Sequence, residues 1–115
     1  MHHLQLAELL PGDQSVHREA CEFQRAHVVF GAHGAALANL VFCTPNTSVV
    51  EVGYRKDPIG IYFDQARFLH LAYFALVAQM GSYGSPLTIT DAQVHCVMDA
   101  IFHKTSCNIN GTQIA

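Results

Sequence analysis

The stretch AHVVFGAHGAALANLVFCTPNTSVVEVG, residues 26–53, decides the fold. Val28, Val29 and Phe30 make a β-branched and aromatic run closed by Gly31, the pattern of a buried strand. Gly31 and Gly34 bracket a tight turn. Residues 35–42 are rich in helix formers and apolar nearly all round, as expected of a short helix packed between a sheet and a second layer. Pro45 stops that helix, and residues 48–53 read as a second strand before a polar loop through Tyr54, Arg55, Lys56, Asp57, Pro58 and Gly60. A strand, a helix and a strand in so short a span predict parallel strands joined by a right-handed crossover. The fold class expected is therefore α/β, a Rossmann-like open parallel sheet with flanking helices, in which ligands bind beyond the carboxyl ends of the strands.

Working outward, Asp13 or Ser15 is placed to cap a first helix that ends near Arg25. Val16, Ala20, Phe23 and Cys21 lie on one side of it, and Arg18, Glu19 and Glu22 on the other. Downstream, the continuous apolar content of residues 61–80 hides any period, and the best division is a helix near 63–70 and a strand near 73–78. Gly81, Gly84 and Pro86 mark a loop. Thr90-Asp91-Ala92-Gln93 is a capping box, and Val94, Val97, Met98 and Ile101 repeat at helical spacing. Lys104 complements the dipole at that helix's end, and residues 105–115 read as a polar, frayed tail.

The chain has 115 residues, half of them apolar and 13% charged, which fits one domain and excludes a disordered or collagen-like class. Ordinary domains carry about 25% charged residues, so this chain is expected to bury part of its surface against a larger body. Six basic residues, scattered and outnumbered by nine acidic ones, give no footprint for nucleic acid. The apolar run at 68–80, interrupted by His70 and Gln79, is shorter than the roughly 20 residues a membrane helix needs. No signal peptide opens the chain, so it is either cytosolic or targeted by a segment upstream. Cys21, Cys43, Cys96 and Cys107 are widely spaced without a Cys-x-x-Cys pair, and most are expected to be small buried hydrophobes. Eight histidines are dispersed, with no His-Glu-x-x-His, so no metal site is assigned. The absence of a Gly-x-Ser-x-Gly elbow argues against a serine hydrolase.

The turn Gly31-Ala32-His33-Gly34 followed by Ala35 lets backbone approach a ligand closely and points the first helical N–H groups outward, an anion site in outline. A phosphate there gains about 0.3–1 kcal/mol per interaction, and up to about 2 kcal/mol if partly buried, with His33 adding a hydrogen bond. The same two glycines also suit a plain strand-to-helix turn in which His33 only caps or packs locally. The turn is neither a Gly-x-Gly-x-x-Gly nor a Walker pattern. Glu51 lies in a strand otherwise built of valine, about 20 residues after the turn, where dinucleotide folds place an acidic group for the ribose diol. The alternative is a solvent-facing carboxylate paired with Arg55 or Lys56, worth little at a surface. Two sequons, Asn46-Thr47-Ser48 and Asn110-Gly111-Thr112, would fit a lumenal protein.

Residues 25–42 (RAHVVFGAHGAALANLVF), then Pro45 and the strand Val49-Val50-Glu51-Val52, resemble the glycosyltransferase 61 family. Its pattern runs from a hydrophobic strand through a His-Gly-Ala turn, an apolar helix with Asn and Phe and a Pro turn to a strand bearing Glu. Phe68-Leu69-His70-Leu71-Ala72-Tyr73 is similar to the family's helix-to-strand junction. The likeness is strong over 26–52, thinner over 16–25 and 61–76, and absent from the tail. Three positions depart from the pattern: His27 replaces an Asp, Ala32 a small residue or Pro, and Ala36 a Gly.

The resemblance implies residues 1–104 of a C-terminal, donor-binding lobe of the GT-B architecture, with 105–115 as tail. It implies an inverting glycosyltransferase that moves a sugar from a nucleotide donor, such as UDP-N-acetylglucosamine or UDP-xylose, to a hydroxyl of a protein or glycan acceptor. His33 is the expected catalytic residue. Gly31, His33, Gly34, Ala35 and Arg55 are expected at the diphosphate, Glu51 at the ribose, and Asn39 in a supporting hydrogen bond. The expected partners are a UDP-sugar, an acceptor and an N-terminal lobe of the same enzyme, without which the chain would be inactive. For a eukaryotic full-length protein the compartment implied is the Golgi or endoplasmic reticulum lumen. Two alternatives stand beside this: a non-catalytic remnant that keeps the donor-lobe fold, and a nucleotide-binding Rossmann-like module for NAD or S-adenosylmethionine, which would need more spaced glycines.

Overall fold

A computed structural model describes residues 15–32, 34–54, 60–78, 88–107 and 112–114. The elements run in the order α1 (Val16–Arg25), β1 (Val28–Ala32), a 3-10 helix η1 (Ala35–Phe42), β2 (Ser48–Tyr54), α2 (Ile61–Phe68), β3 (Ala72–Ala78), α3 (Asp91–His103) and β4 (Thr112–Ile114). The sheet order is β1-β2-β3-β4. The first three strands are parallel, with Val28 opposite Ser48 and Ser48 opposite Ala72. This is the α/β, Rossmann-like arrangement expected.

Alternation along the strands divides the core in two. On one face Val49 and Tyr73 pack against Phe23 of α1, Leu37 and Leu40 of η1, and Tyr62 and Ala66 of α2. On the other, Val50, Val52, Phe74 and Leu76 meet Val97 and Ala100 of α3. Both crossovers, η1 and α2, thus cover the same face, and α3 covers the opposite one. Gln65 Nε2 donates to the Ala38 carbonyl at 3.2 Å, tying α2 to η1.

The caps explain where the helices begin. The Ser15 hydroxyl accepts from the Arg18 N–H at 3.2 Å, so Ser15 is the cap of α1, while Asp13 lies outside the described residues. Thr90 and Gln93 form the expected capping box on α3, and Lys104 closes that helix in the left-handed region. Gln93 does more than cap, because its Nε2 donates to the Val77 carbonyl at 2.9 Å and fastens α3 to the far end of β3.

Four expectations are corrected. The segment after the glycine turn is a 3-10 helix. Its buried side chains Leu37 and Leu40, with Cys43 just after it, recur at every third residue, the period that lines up one ridge when there are three residues per turn. Val41 and Phe42 remain exposed, so the segment is not buried all round. Glu19 does not face away from the core: its carboxylate accepts from Asn39 Nδ2 of η1 at 3.4 Å. Cys96 and Cys107 form a disulfide across 11 residues, which their spacing did not announce, whereas Cys43 is the buried thiol expected. Finally, the tail is not wholly frayed. The disulfide holds the chain to α3 at Cys107, and residues 112–114 add an antiparallel strand to β3, with Phe74 opposite Ile114.

Candidate functional site

The pairing of β1 with β2 brings two of the expected residues into register, Gly31 near the carboxyl end of β1 and Glu51 midway along β2. Gly31 lies opposite Glu51, one position before β1 ends at Ala32 opposite Val52. Gly34 follows as the cap of η1 in extended backbone, φ 168° and ψ 169°, and its carbonyl accepts the Leu37 N–H at 3.0 Å. Ala35 opens η1. A Cβ on Gly31 would stand 3.2 Å from Leu37 Cδ2, so the glycine lets the 3-10 ridge close onto the strand. His33 and Arg55 lie outside the described residues.

Glu51 is 7% exposed, on the sheet face that carries η1 and α2. The solvent-facing alternative therefore does not hold. The Tyr73 hydroxyl donates to Glu51 Oε1 from the neighbouring strand. Tyr73 stands opposite Val49, two positions before Glu51's own register partner Ala75, and two residues along a strand return a side chain to the same face. Burial pushes the Tyr73 phenol well above its usual range, and the bond to Glu51 and that residue's negative charge push it further. The phenol thus stays protonated and a donor. Phe63 of α2 meets the Tyr73 ring edge-on, with centroids 5.5 Å apart, which fixes its orientation.

Tyr73 escaped the sequence reading, yet the signal was there. In parallel strands that both point an aromatic or acidic group to one face, Tyr73 and Glu51 must share that face once the register is known. Asn39 is directed elsewhere, to Glu19 of α1, and so joins η1 to the first helix. Among the described residues, no three His, Cys, Asp or Glu side chains are grouped to hold a metal ion. A shallow groove along α3, lined by His95, Asp99 and His103 with Met98 and Phe102, lies on the opposite side of the sheet from Glu51.

A glycine turn after a parallel strand, a helical element beginning beyond it and an acidic residue on the next strand define an α/β chain of Rossmann-like arrangement. The glycosyltransferase 61 family model matches residues 3–50, which include β1, the glycine turn and η1 and end two residues into β2's valine run. This is the family that the sequence resembles, and the match supports a glycosyltransferase. No curated protein and no solved structure matches the chain. None of the described helices is long and apolar enough to cross a membrane.

Proposed function

We propose that this chain is the donor-binding lobe of an inverting glycosyltransferase of the GT-B architecture, which takes a UDP-linked sugar and transfers it to a hydroxyl of a protein or glycan in the lumen of the secretory pathway. The observation that carries the reading is the coincidence of the family match with the β1–turn–η1 unit, whose Gly31 lies opposite Glu51 on β2. In this reading His33 and the backbone of Gly31, Gly34 and Ala35 receive the diphosphate, and Arg55 neutralises it as it leaves. Asn39 acts at a distance, by fixing η1 to α1 through Glu19. Exposed Val16, Val41 and Phe68, on three elements of one layer, support a surface completed by an N-terminal lobe.

Inversion requires a single in-line displacement, in which a general base takes the acceptor proton while charge builds on the departing diphosphate. The turn suits the second task more readily than the first. Glu51 is assigned to the ribose. Its burial and its bond from Tyr73 favour a second role as well, that of a fixed strut beneath the turn.

The full-length enzyme tests these assignments by turnover of UDP-sugars and by calorimetry with UDP, 2′-deoxy-UDP, NAD and S-adenosylmethionine. His33→Ala and Glu51→Gln are each expected to lower kcat/KM at least tenfold, about 1.4 kcal/mol. Weaker binding of 2′-deoxy-UDP that disappears in Glu51→Gln places the carboxylate on the ribose. Equal loss of both nucleotides in that variant leaves only the strut. Selective binding of NAD would overturn the glycosyltransferase reading.

A further inference from the structure

We infer that Asn46 is an N-glycosylation site, an inference that rests on the lumenal reading above. Asn46 begins the sequon Asn46-Thr47-Ser48 and sits at the tip of the turn between η1 and β2. Its φ is 74°, Pro45 precedes it, and the Thr47 N–H returns to the Thr44 carbonyl at 3.3 Å. This is the arrangement in which Pro and Asn occupy the two central positions of a turn with positive φ at the second. The Asn46 backbone N–H is held by the His70 carbonyl at 2.9 Å. Its side chain is exposed, and no hydrogen bond occupies its carboxamide among the described residues.

Position in the sheet makes the site compatible with a working enzyme. Asn46 precedes β2 and His70 precedes β3, so both mark the amino ends of the parallel strands. The glycine turn follows the carboxyl end of β1, where the donor is proposed to bind, and Glu51 lies opposite Gly31, midway along β2. A glycan on Asn46 therefore projects from the end remote from the nucleotide. Thr47 and Ser48 are buried in the finished fold, which requires that the sequon be used while the chain is still entering the lumen. The Cys96–Cys107 disulfide independently fits that oxidising compartment.

The co-reactant is a lipid-diphosphate-linked oligosaccharide. A bond forms between Asn46 Nδ2 and the anomeric carbon, the bond from that carbon to the diphosphate oxygen breaks, Nδ2 gives up one proton, and the lipid diphosphate leaves. The test is peptide mapping of the full-length protein from eukaryotic cells, after release of the glycan by a peptide-N-glycosidase in ¹⁸O-water, which hydrolyses the glycosylated side-chain amide to a carboxylate, alongside protease protection of microsomes. We expect labelled conversion of Asn46 to aspartate, and loss of that glycan's mobility shift in Asn46→Gly and in Ser48→Ala. Asn46→Gly keeps a residue suited to positive φ, so it removes the acceptor without removing the turn. Asn110→Gln, at the other sequon, is expected to leave the Asn46 signal in place. An unmodified Asn46 in protein that is microsome-protected and disulfide-bonded overturns the site alone. Protein that never enters microsomes overturns the lumenal reading and the site with it.

Discussion

The Tyr73 hydroxyl donates to the Glu51 carboxylate across the β2–β3 seam, and both side chains lie in the layer roofed by η1 and α2. A buried carboxylate is costly unless its oxygens are paired, so this bond helps an acidic residue to stand among valines in the middle of β2.

Removing the donor should therefore cost more than removing an ordinary hydroxyl. Tyr73→Phe is expected to lower stability by about 1.5–3 kcal/mol, the range for a hydrogen bond to a charged group, measured by urea unfolding at neutral pH. The phenol's pKa is raised in the folded state above its ordinary value of 10.0. Between the unfolded and folded values the native protein binds the extra proton, so this contribution is complete below pH 10 and is lost as pH climbs above it. Wild-type stability should fall over that alkaline range more steeply than that of Tyr73→Phe; parallel curves would show that the bond does not control the phenol.

Gly31 is the place where η1 closes on β1. A valine there would force its Cβ against Leu37 Cδ2, 3.2 Å away, with two further methyl groups behind it. Gly31→Val should destabilise by about 1–3 kcal/mol, the usual cost of overpacking. Gly31→Ala should be milder, because the squeeze is partly offset by about 0.4–1 kcal/mol gained from a stiffer unfolded chain. Thermal melts of the two variants check the order.

The cysteines should separate by chemistry. Burial pushes the Cys43 thiol up from 9.0 to about 11, leaving about a hundredfold less thiolate at a given pH, and the thiolate is the nucleophile. Half-buried Cys21 should react with iodoacetamide at pH 8 in the native protein, while Cys43 reacts only after denaturation. Reduction of Cys96–Cys107 should cost about 2–3 kcal/mol, as expected for a short closed loop, and should lower the melting temperature.

Gln93 distinguishes a capping box from a capping box with a second task. Glu and Gln serve equally well in the box itself. Here, however, Oε1 accepts the Thr90 N–H at 2.9 Å while Nε2 donates to the Val77 carbonyl, at a site 1% exposed. Gln93→Glu exchanges that donor for an oxygen facing an oxygen and should cost about 1–3 kcal/mol, the penalty for a buried polar group left unpaired. An unfolding curve unchanged at neutral pH would reduce Gln93 to a simple cap.

Much of the fold is local and can be read locally. The valine runs of β1 and β2, Ser15 before α1, and the Thr90–Gln93 box each act within a few residues. The division of residues 61–78 into α2 and β3 was also legible, to within two residues at the helix start. The 3-10 winding of η1 was not, because Leu37 and Leu40 satisfy a three-residue and a 3.6-residue period equally over so short a segment. β4 escaped notice because three residues carry too little pattern, and their strand exists only as an addition to β3.

The candidate site divides in the same way. By itself the sequence determined the α/β class, the glycine turn and the placing of Glu51 on the following strand, because strand propensity, turn chemistry and side-chain alternation are properties of neighbouring residues. Tertiary structure alone decided that Glu51 would be buried and bonded by Tyr73, that Glu19 would meet Asn39, and that Cys96 would find Cys107. Those pairings depend on strand register and on how helices seat against a sheet face, which arise only when segments distant in sequence close over a shared core.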